Sequence, residues 1–262
     1  MASSTPEREI GSRITAYLRA SVSLSTEIER VGPFLASVSP TAESRFLNYA
    51  IPDDDAAPTT DDIAALTAAY RRRNRLPRLE YVPVVAPLVE GALLQAGWQV
   101  EGRLPLMVLP RSVALDSRVP DGVELVAPTS GDQLLATAAA QNEAYGDGSP
   151  SPDRAAGLRR LIDGGGSVVL ARSAGGGEGI GGGLFVAPQE GVTEIAAIGV
   201  REPFRRRGIA TAMVRWLARE ARAAGAATVF LMAESAVEER IYARIGFESV
   251  GEMLHISAPM SS

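Results

Sequence analysis

Residues 200–210 read VREPFRRRGIA, and this stretch predicts both the fold and its ligand-binding end. It overlaps an apolar run at residues 195–200 that is typical of a buried strand, which Pro203 then ends. The basic residues and Gly208 lead into an alanine-rich segment that is typical of a helix. The first N–H groups of a helix lack acceptors, and the helix dipole favours anions there. The stretch therefore predicts a phosphate-binding turn between a strand and a helix.

Two motifs in the C-terminal half resemble the GNAT superfamily of N-acetyltransferases. The spacing Arg-x-x-Gly-x-Ala at residues 205–210, after a V-x-x-P strand end, resembles the acyl-CoA signature of that family. The segment YARIGF at residues 242–247 resembles its late Y-x-x-x-G-F segment, and one predicted strand, residues 228–232, separates the two. The resemblance covers about Asp121 to Ile256 and implies a GNAT-like fold that uses acetyl-CoA.

Composition excludes several other kinds of site. The chain has 262 residues, of which 46% are hydrophobic, with no cysteine and a single histidine, His255. This excludes disulfides, a cysteine-ligated metal and a thiol nucleophile, and we expect no metal. The formal net charge of −5 gives no general attraction to nucleic acid. We expect a cytoplasmic protein that binds neither nucleic acid nor membrane, because no apolar stretch is long enough to span a bilayer and no signal peptide is evident.

The order of predicted elements favours an α/β layered fold. From residue 123 onward the order is β-α-α-β-β-β-α-β-α-β-β, which is also that of GNAT domains, and it predicts a mixed central sheet flanked by helices. Near the N-terminus, a weak pattern over Glu7 to Glu29 is compatible with a helix. Residues 110–120 are polar, lack periodicity and are bracketed by prolines, so we interpret them as a linker. The expected domains are residues 1–115 and 116–262. The sequence leaves open whether the chain forms a homodimer.

The N-terminal half resembles the C-terminal half at an offset of 149 residues. AGWQVEG at residues 96–102 parallels IGFESVG at residues 245–251. The same register pairs Ile51 with Val200, Arg45 with Glu194, Leu93 with Tyr242, and Asp54–Ala56 with Pro203–Arg205. The loop at Asp54–Ala56 is acidic, and an acidic loop repels a pyrophosphate. We therefore expect the N-terminal half to be a smaller, degenerate GNAT-like domain that binds no CoA.

Acyl transfer from a thioester to an amine needs a base, a polarised carbonyl and a proton for the departing thiolate. The resemblance implies that Glu194, near the start of the central strand, is the general base, with Glu234 as a second candidate. It also implies that Tyr242 protonates the thiolate. A solvated strand-end carboxylate and a core tyrosine are the structural alternatives for these positions.

The resemblance also implies a set of acetyl-CoA-binding residues. The backbone of Ile198, Gly199 and Val200 would pair with the pantetheine amides, and one N–H there would polarise the acyl carbonyl. The pyrophosphate would lie against Arg205, Arg206, Arg207, Gly208, Ile209, Ala210 and Thr211. Ser235 stands where the family often has an asparagine, so we expect a weaker contact with CoA there.

The sequence says less about the residues that would bind the acceptor substrate. In the family, the first two helices of the domain shape the acceptor pocket, and Gln141–Asp147 lies at their junction in this chain. Glu143 or Asp147 would hold an ammonium group and Tyr145 would stack on a substrate, or the segment is simply an exposed polar loop.

The expected function is acetyl transfer from acetyl-CoA to an amine of a small molecule or a protein N-terminus. Direct attack in a ternary complex is expected, because no cysteine is available for an acyl-enzyme. The alternative is a non-catalytic acyl-CoA-binding sensor or scaffold module.

Overall fold

The computed structural model describes residues 5–24, 26–40, 47–148 and 152–259. Within them, the helices are α1 (Thr5–Val22), α2 (Thr60–Arg71), α3 (Val89–Gln95), α4 (Gly131–Tyr145), α5 (Pro152–Asp163), α6 (Ile209–Ala223) and α7 (Ala236–Ile245). The strands are β1 (Glu27–Val31), β2 (Phe34–Val38), β3 (Tyr49–Pro52), β4 (Arg78–Tyr81), β5 (Gln99–Leu109), β6 (Val123–Val126), β7 (Ser167–Ser173), β8 (Gly179–Phe185), β9 (Val192–Val200), β10 (Thr228–Met232) and β11 (Glu248–Ser257). The α/β prediction is confirmed.

The chain folds as two compact units that are each discontinuous in sequence. Unit 1 contains the residues up to Leu106, Met232–Ser235 and the residues from Ser249 onward. Unit 2 contains Met107–Leu231 and Ala236–Glu248. Almost all of β11 therefore packs in unit 1. The division into domains 1–115 and 116–262 stays a prediction. The two packing units differ from it, because each of them combines segments from separate parts of the sequence.

The sheet of unit 1 has the strand order β1-β2-β3-β4-β11-β5. Its last strand in sequence, β11, runs antiparallel to β4, with Leu254 opposite Tyr81. Leu254 and Ile256 are fully buried in the same hydrophobic core as Phe34 and Leu66 of the N-terminal half. Residues from the end of the chain are thus needed to complete a core that begins near its start.

The predicted helix over Glu7 to Glu29 is wrong in its last third. The helix α1 ends at Val22, and Glu27–Val31 is instead strand β1 of an antiparallel hairpin with β2. Gly32 turns this hairpin with a φ of +52°, a conformation that glycine adopts without steric cost. Pairing with β2 therefore outweighs the weak local helix pattern.

The elements of the two halves agree with the predicted register. Helices α2 and α6 begin at Thr60 and Ile209, and strands β5 and β11 begin at Gln99 and Glu248, so each pair of first residues is 149 apart. Arg103 of β5 forms an ion pair with Glu252 of β11, and these positions are also 149 apart. Arg45, which the register pairs with Glu194, lies outside the described residues.

The sheet of unit 2 includes the order β10-β9-β8-β7-β6. Strands β6 to β9 are antiparallel neighbours, and β9 and β10 are parallel. Glycines let helices approach both faces: a Cβ added at Gly182 would lie 2.7 Å from Thr137 Cγ2 of α4, and one added at Gly183 would lie 3.1 Å from Leu217 Cδ1 of α6. The run of small residues in β8 therefore fixes how closely α4 lies over β8 and β9.

The predicted linker packs along helix α6 within unit 2. Residues 110–118 contain no regular element, but Arg215, Arg219 and Arg222 of α6 hold them. Arg222 donates to the carbonyls of Pro110 and Val113 at 2.8 Å each, and Arg219 donates to the carbonyl of Asp116 at 3.0 Å. The segment is therefore an irregular strap on the helix rather than a free connection.

We predict that Gly182→Ala lowers the free energy of unfolding by about 1–3 kcal/mol, because the added methyl group would overlap Thr137 of α4. Denaturant unfolding monitored by circular dichroism measures the change. The matched control is Gly102→Ala in β5, where an added Cβ has no neighbour within 4 Å and the expected change is within about 0.5 kcal/mol. Equal effects of the two substitutions would contradict the close approach of α4.

Candidate functional site

The central strand β9 carries a bulge at Ala197. Gly182 pairs with Gly199 and Leu184 pairs with Ala196, so the single residue between them on β8 faces two residues on β9. Ala197 has a φ of +54°, which is unusual for a residue with a side chain and costs about 1–3 kcal/mol. A bulge breaks the regular ladder and re-aims the groups beside it. The strand therefore changes direction beside Ile198.

Strands β9 and β10 pair only over their first residues. Their ladder runs from Val192 opposite Thr228 to Glu194 opposite Phe230. Beyond Glu194, the described pairs of β9 are with β8, up to Val200 opposite Gly181. The edge of β9 toward β10 is therefore open for an extended ligand, which could add to it as another strand would.

The turn after β9 leads directly into helix α6. Gly208 is the N-cap residue with a φ of +79°, and Arg206 has a φ of +61°. In the described part of the chain, the N–H groups of residues 206–211 have no protein acceptor. Unpaired N–H groups, together with the helix dipole, form an anion-binding end. The predicted phosphate turn is present as a strand, an irregular basic turn and a helix.

The three arginines of this turn have different contacts. Arg205 donates from Nε to the carbonyl of Val200 and from Nη2 to that of Ala144, both at 3.0 Å. The Arg207 guanidinium lies 5.4 Å from the centre of the Phe204 ring. Arg206 is exposed. Arg205 therefore braces the turn against β9 and α4, and Arg206 and Arg207 carry exposed positive charge beside it.

The end of α4 is tied to the end of β9. Arg201 forms ion pairs with Glu143, at 2.7 Å, and with Glu178. The hydrogen bond with Glu178 is the main cause that holds the pKa of Arg201 above its ordinary value. Glu143, predicted to hold an ammonium group, is thus engaged by Arg201 within the protein. The sequence analysis missed Arg201, since an arginine after a strand has no distinctive pattern.

Two further side chains of α4 contact the backbone of β9. Gln141 Nε2 donates to the carbonyl of Ala197 at 2.8 Å, and Tyr145 Oη donates to that of Ile198 at 3.2 Å. Both carbonyls belong to the stretch where the strand bulges. The helix that was expected to shape the acceptor pocket therefore also holds the backbone of the predicted acyl-binding stretch.

The predicted catalytic residues lie on different elements. Glu194 is half-buried on β9, at the last residue pair with β10. Tyr242 is buried on α7, with its ring centre 6.2 Å from that of Phe247, and α7 packs against α6. Ser235 and Glu234 are exposed and belong to unit 1. The roles assigned to these residues stay predictions.

The turn of unit 1 that corresponds to the phosphate turn is acidic, and its carboxylates are paired. The ion pairs are Asp53 with Arg30 at 2.7 Å, Asp54 with Arg19 at 2.7 Å, and Asp55 with Arg8 at 2.6 Å. The arginines come from α1 and β1 of the same unit. The turn of unit 1 is thus neutralised by ion pairs within the unit, whereas the turn before α6 carries exposed arginines. That unit 1 binds no CoA remains a hypothesis.

Among the described residues, no cluster of three or more histidine, cysteine, aspartate or glutamate side chains is arranged to hold a metal ion. None of the helices in the described ranges has the length and apolar character needed to cross a membrane.

Part of this chain matches the model of a known protein family. Residues 135–247 match the family model described as "Acetyltransferase (GNAT) family", and this range includes most of α4 together with β9, α6 and Tyr242. A comparison with curated protein sequences gave no significant match. The matched range therefore holds the site just described.

Solved structures match over nearly the whole chain. A GCN5-related N-acetyltransferase from Kribbella flavida is 23% identical with a TM-score of 0.79, and the match covers 96% of each chain. One from Sphaerobacter thermophilus is 18% identical with a TM-score of 0.61, covering 86% of this chain and 80% of that one. A tandem GNAT protein from the clavulanic acid biosynthesis pathway is 13% identical with a TM-score of 0.61, covering 87% and 79%. At these identities the matches establish the fold, and the predicted GNAT-like fold is confirmed.

Proposed function

We propose that this chain transfers the acetyl group of acetyl-CoA to an amine by direct attack in a ternary complex, because residues 135–247 match the model of the GNAT acetyltransferase family. The observation that carries the proposal is the continuous segment of β9, turn and α6. It combines an open strand edge beyond Glu194 with unpaired N–H groups at residues 206–211. An extended amide chain that ends in a pyrophosphate, as in CoA, matches both features.

The proposed binding mode follows the direction of the segment. The backbone of Ile198, Gly199 and Val200 holds the pantetheine amides, and the N–H groups from Arg206 to Thr211 hold the pyrophosphate. Gly208 lets the ligand approach the turn closely, since an added Cβ there would have only Pro120 Cγ as a neighbour, at 3.7 Å. Arg206 and Arg207 add positive charge beside the pyrophosphate.

The proposed chemistry assigns one task to each group. Glu194 accepts a proton from the acceptor ammonium group, so that the amine nitrogen can bond to the thioester carbonyl carbon. A backbone N–H at residue 198 stabilises the negative charge that develops on the acyl oxygen. As the carbon–sulfur bond breaks, Tyr242 donates its phenolic proton to the thiolate. The nitrogen of the tetrahedral intermediate loses its extra proton, which passes through solvent to the Tyr242 phenolate, so that a neutral acetamide and free CoA are released. A phenol with an ordinary pKa of about 10 is a suitable donor to a thiolate.

The acceptor class is a primary amine on a small molecule or a protein N-terminus. The proposed location is the cytoplasm, where such acetyl-CoA-dependent reactions have their cosubstrate.

We predict that Gly208→Glu weakens acetyl-CoA binding at least tenfold, or by about 1.4 kcal/mol, because a carboxylate would stand where the pyrophosphate lies. Calorimetric titration of wild type and variant measures the dissociation constants. Gly225→Glu is the matched control: Gly225 follows the other end of α6, also has a positive φ, +93°, and has no neighbour within 4 Å of an added Cβ. Binding to the wild type that survives in Gly208→Glu would exclude this turn as the site.

We predict that Glu194→Gln lowers kcat about 10²-fold or more with an acceptor amine, because the variant lacks the general base. The dissociation constant of acetyl-CoA should stay within a factor of two or three of the wild-type value by rough estimate. Steady-state kinetics over a panel of amines, with calorimetry, separate the two effects. If the wild type binds acetyl-CoA but neither hydrolyses it nor acetylates any amine of the panel, the result would favour a binding module without catalysis.

We predict that Tyr242→Phe lowers kcat roughly 10-fold or more while thermal stability changes little, because the ring that packs near Phe247 is kept and only the proton donor is lost. Activity toward acetyl thioesters of more acidic thiols should recover, since such thiolates leave without a proton. A loss of kcat that does not depend on the thiol would instead indicate that Tyr242 acts through packing.

A further inference from the structure

Gln141 is a buried polar side chain at the closest approach of α4 to the sheet. It is fully buried. A Cβ added at Gly182 would lie 3.1 Å from its Cγ, and one added at Gly199 would lie 3.2 Å from its Cα. Its Nε2 donates to the carbonyl of Ala197 at 2.8 Å, whereas its Oε1 is buried without a hydrogen-bond partner among the described residues.

The Ala197 carbonyl that Gln141 binds belongs to the same planar peptide group as the N–H of Ile198. A hydrogen bond to the carbonyl therefore fixes the orientation of that N–H, and it polarises the group so that the N–H becomes a stronger donor. Ala197 has a left-handed φ of +54°, so this peptide plane is turned out of the regular ladder of β9 and needs a partner to hold it.

We propose that Gln141 is a positioning residue for acetyl transfer: through the Ala197 carbonyl, it orients and polarises the Ile198 N–H toward the acyl carbonyl of bound acetyl-CoA. This inference rests on the proposed function. Gln141 acts through the peptide group and does not itself contact the acyl group.

Packing alone does not require glutamine at this position. The buried Oε1 without a partner is unfavourable for folding, and a methionine of similar volume would fill the same space without burying that oxygen. The hydrogen bond from the Gln141 amide to the Ala197 carbonyl gives a reason for glutamine at this position, because Ala197 lies in the strand that is expected to hold the acyl group.

The first test needs no knowledge of the acceptor. Acetyl-CoA labelled with ¹³C at the acyl carbonyl is bound to the wild type and to Gln141→Met, and isotope-edited infrared spectra give the carbonyl stretch. We expect the band of bound ligand to move to higher wavenumber in Gln141→Met, because the N–H becomes a weaker donor, while the dissociation constant stays nearly the same. Thr137→Val is the matched control: Thr137 is fully buried one turn earlier on α4, and its hydroxyl group donates within the helix, to the carbonyl of Gln133 at 2.8 Å. Its band should match that of the wild type.

A second variant adds a readout that a packing role would not change. In Gln141→Glu, a protonated carboxyl group can donate to the Ala197 carbonyl, whereas a carboxylate cannot. Burial raises the pKa of such a group. The kcat of Gln141→Glu relative to wild type should therefore rise as pH falls, while the ratio for Gln141→Met stays flat. Circular dichroism at each pH monitors folding.

The outcomes separate this inference from the proposed function. Acetyl-CoA that binds wild type and Gln141→Met with the same carbonyl band, and with the same kcat, would overturn the role of Gln141 and leave the acetyltransferase proposal standing. A wild type that does not bind acetyl-CoA would overturn the proposed function itself, and with it this inference. A shifted band with a pH-dependent rescue in Gln141→Glu would support both.

Discussion

The close packing of α4 against β8 and β9 is the constraint on which the site depends. Glycine at positions 182 and 199 removes the side chains that would keep the helix away. The resulting contact lets Gln141 reach the Ala197 carbonyl and lets Arg205 reach the carbonyl of Ala144. Strand, turn and helix N-terminus are thereby held as one body, so that an extended ligand would meet a preorganised backbone.

A left-handed residue in the middle of a sheet is tolerable only if its surroundings determine it. The bulge at Ala197 separates two functions of β9. Up to Glu194 the strand pairs with β10 and belongs to the core, and beyond the bulge its backbone is available on that side. The cost of the unusual φ is offset by packing and by the hydrogen bond from α4. The bulge at Ala197 therefore both separates the part of β9 that pairs with β10 from the rest of the strand and positions the backbone that is proposed to bind the acyl group.

The sequence predicted the parts of this site that depend on local chemistry. The turn before α6 was evident because proline, arginine and glycine have distinct roles at the end of a strand and the start of a helix. The offset of 149 residues was visible because the two halves repeat turn residues such as Gly97 and Gly246. The contacts of Gln141 with Ala197 and of Arg201 with Glu143 were not predicted, since the two partners lie 56 and 58 residues apart along the chain. Likewise, the helix pattern before Glu29 could not reveal the pairing of β1 with β2.

The interleaving of the two units affects how the chain forms as it is synthesised. The core of unit 1 includes Leu254, Ile256 and Ala258 of the C-terminal segment. Unit 2 draws its described residues from Met107 to Glu248, so all of them have left the ribosome before those three. The half that is translated first is therefore completed last, and its apolar surface stays exposed until the final strand arrives. A core completed by residues 254–258 thus ties the folding of unit 1 to the synthesis of a segment that follows every described residue of unit 2.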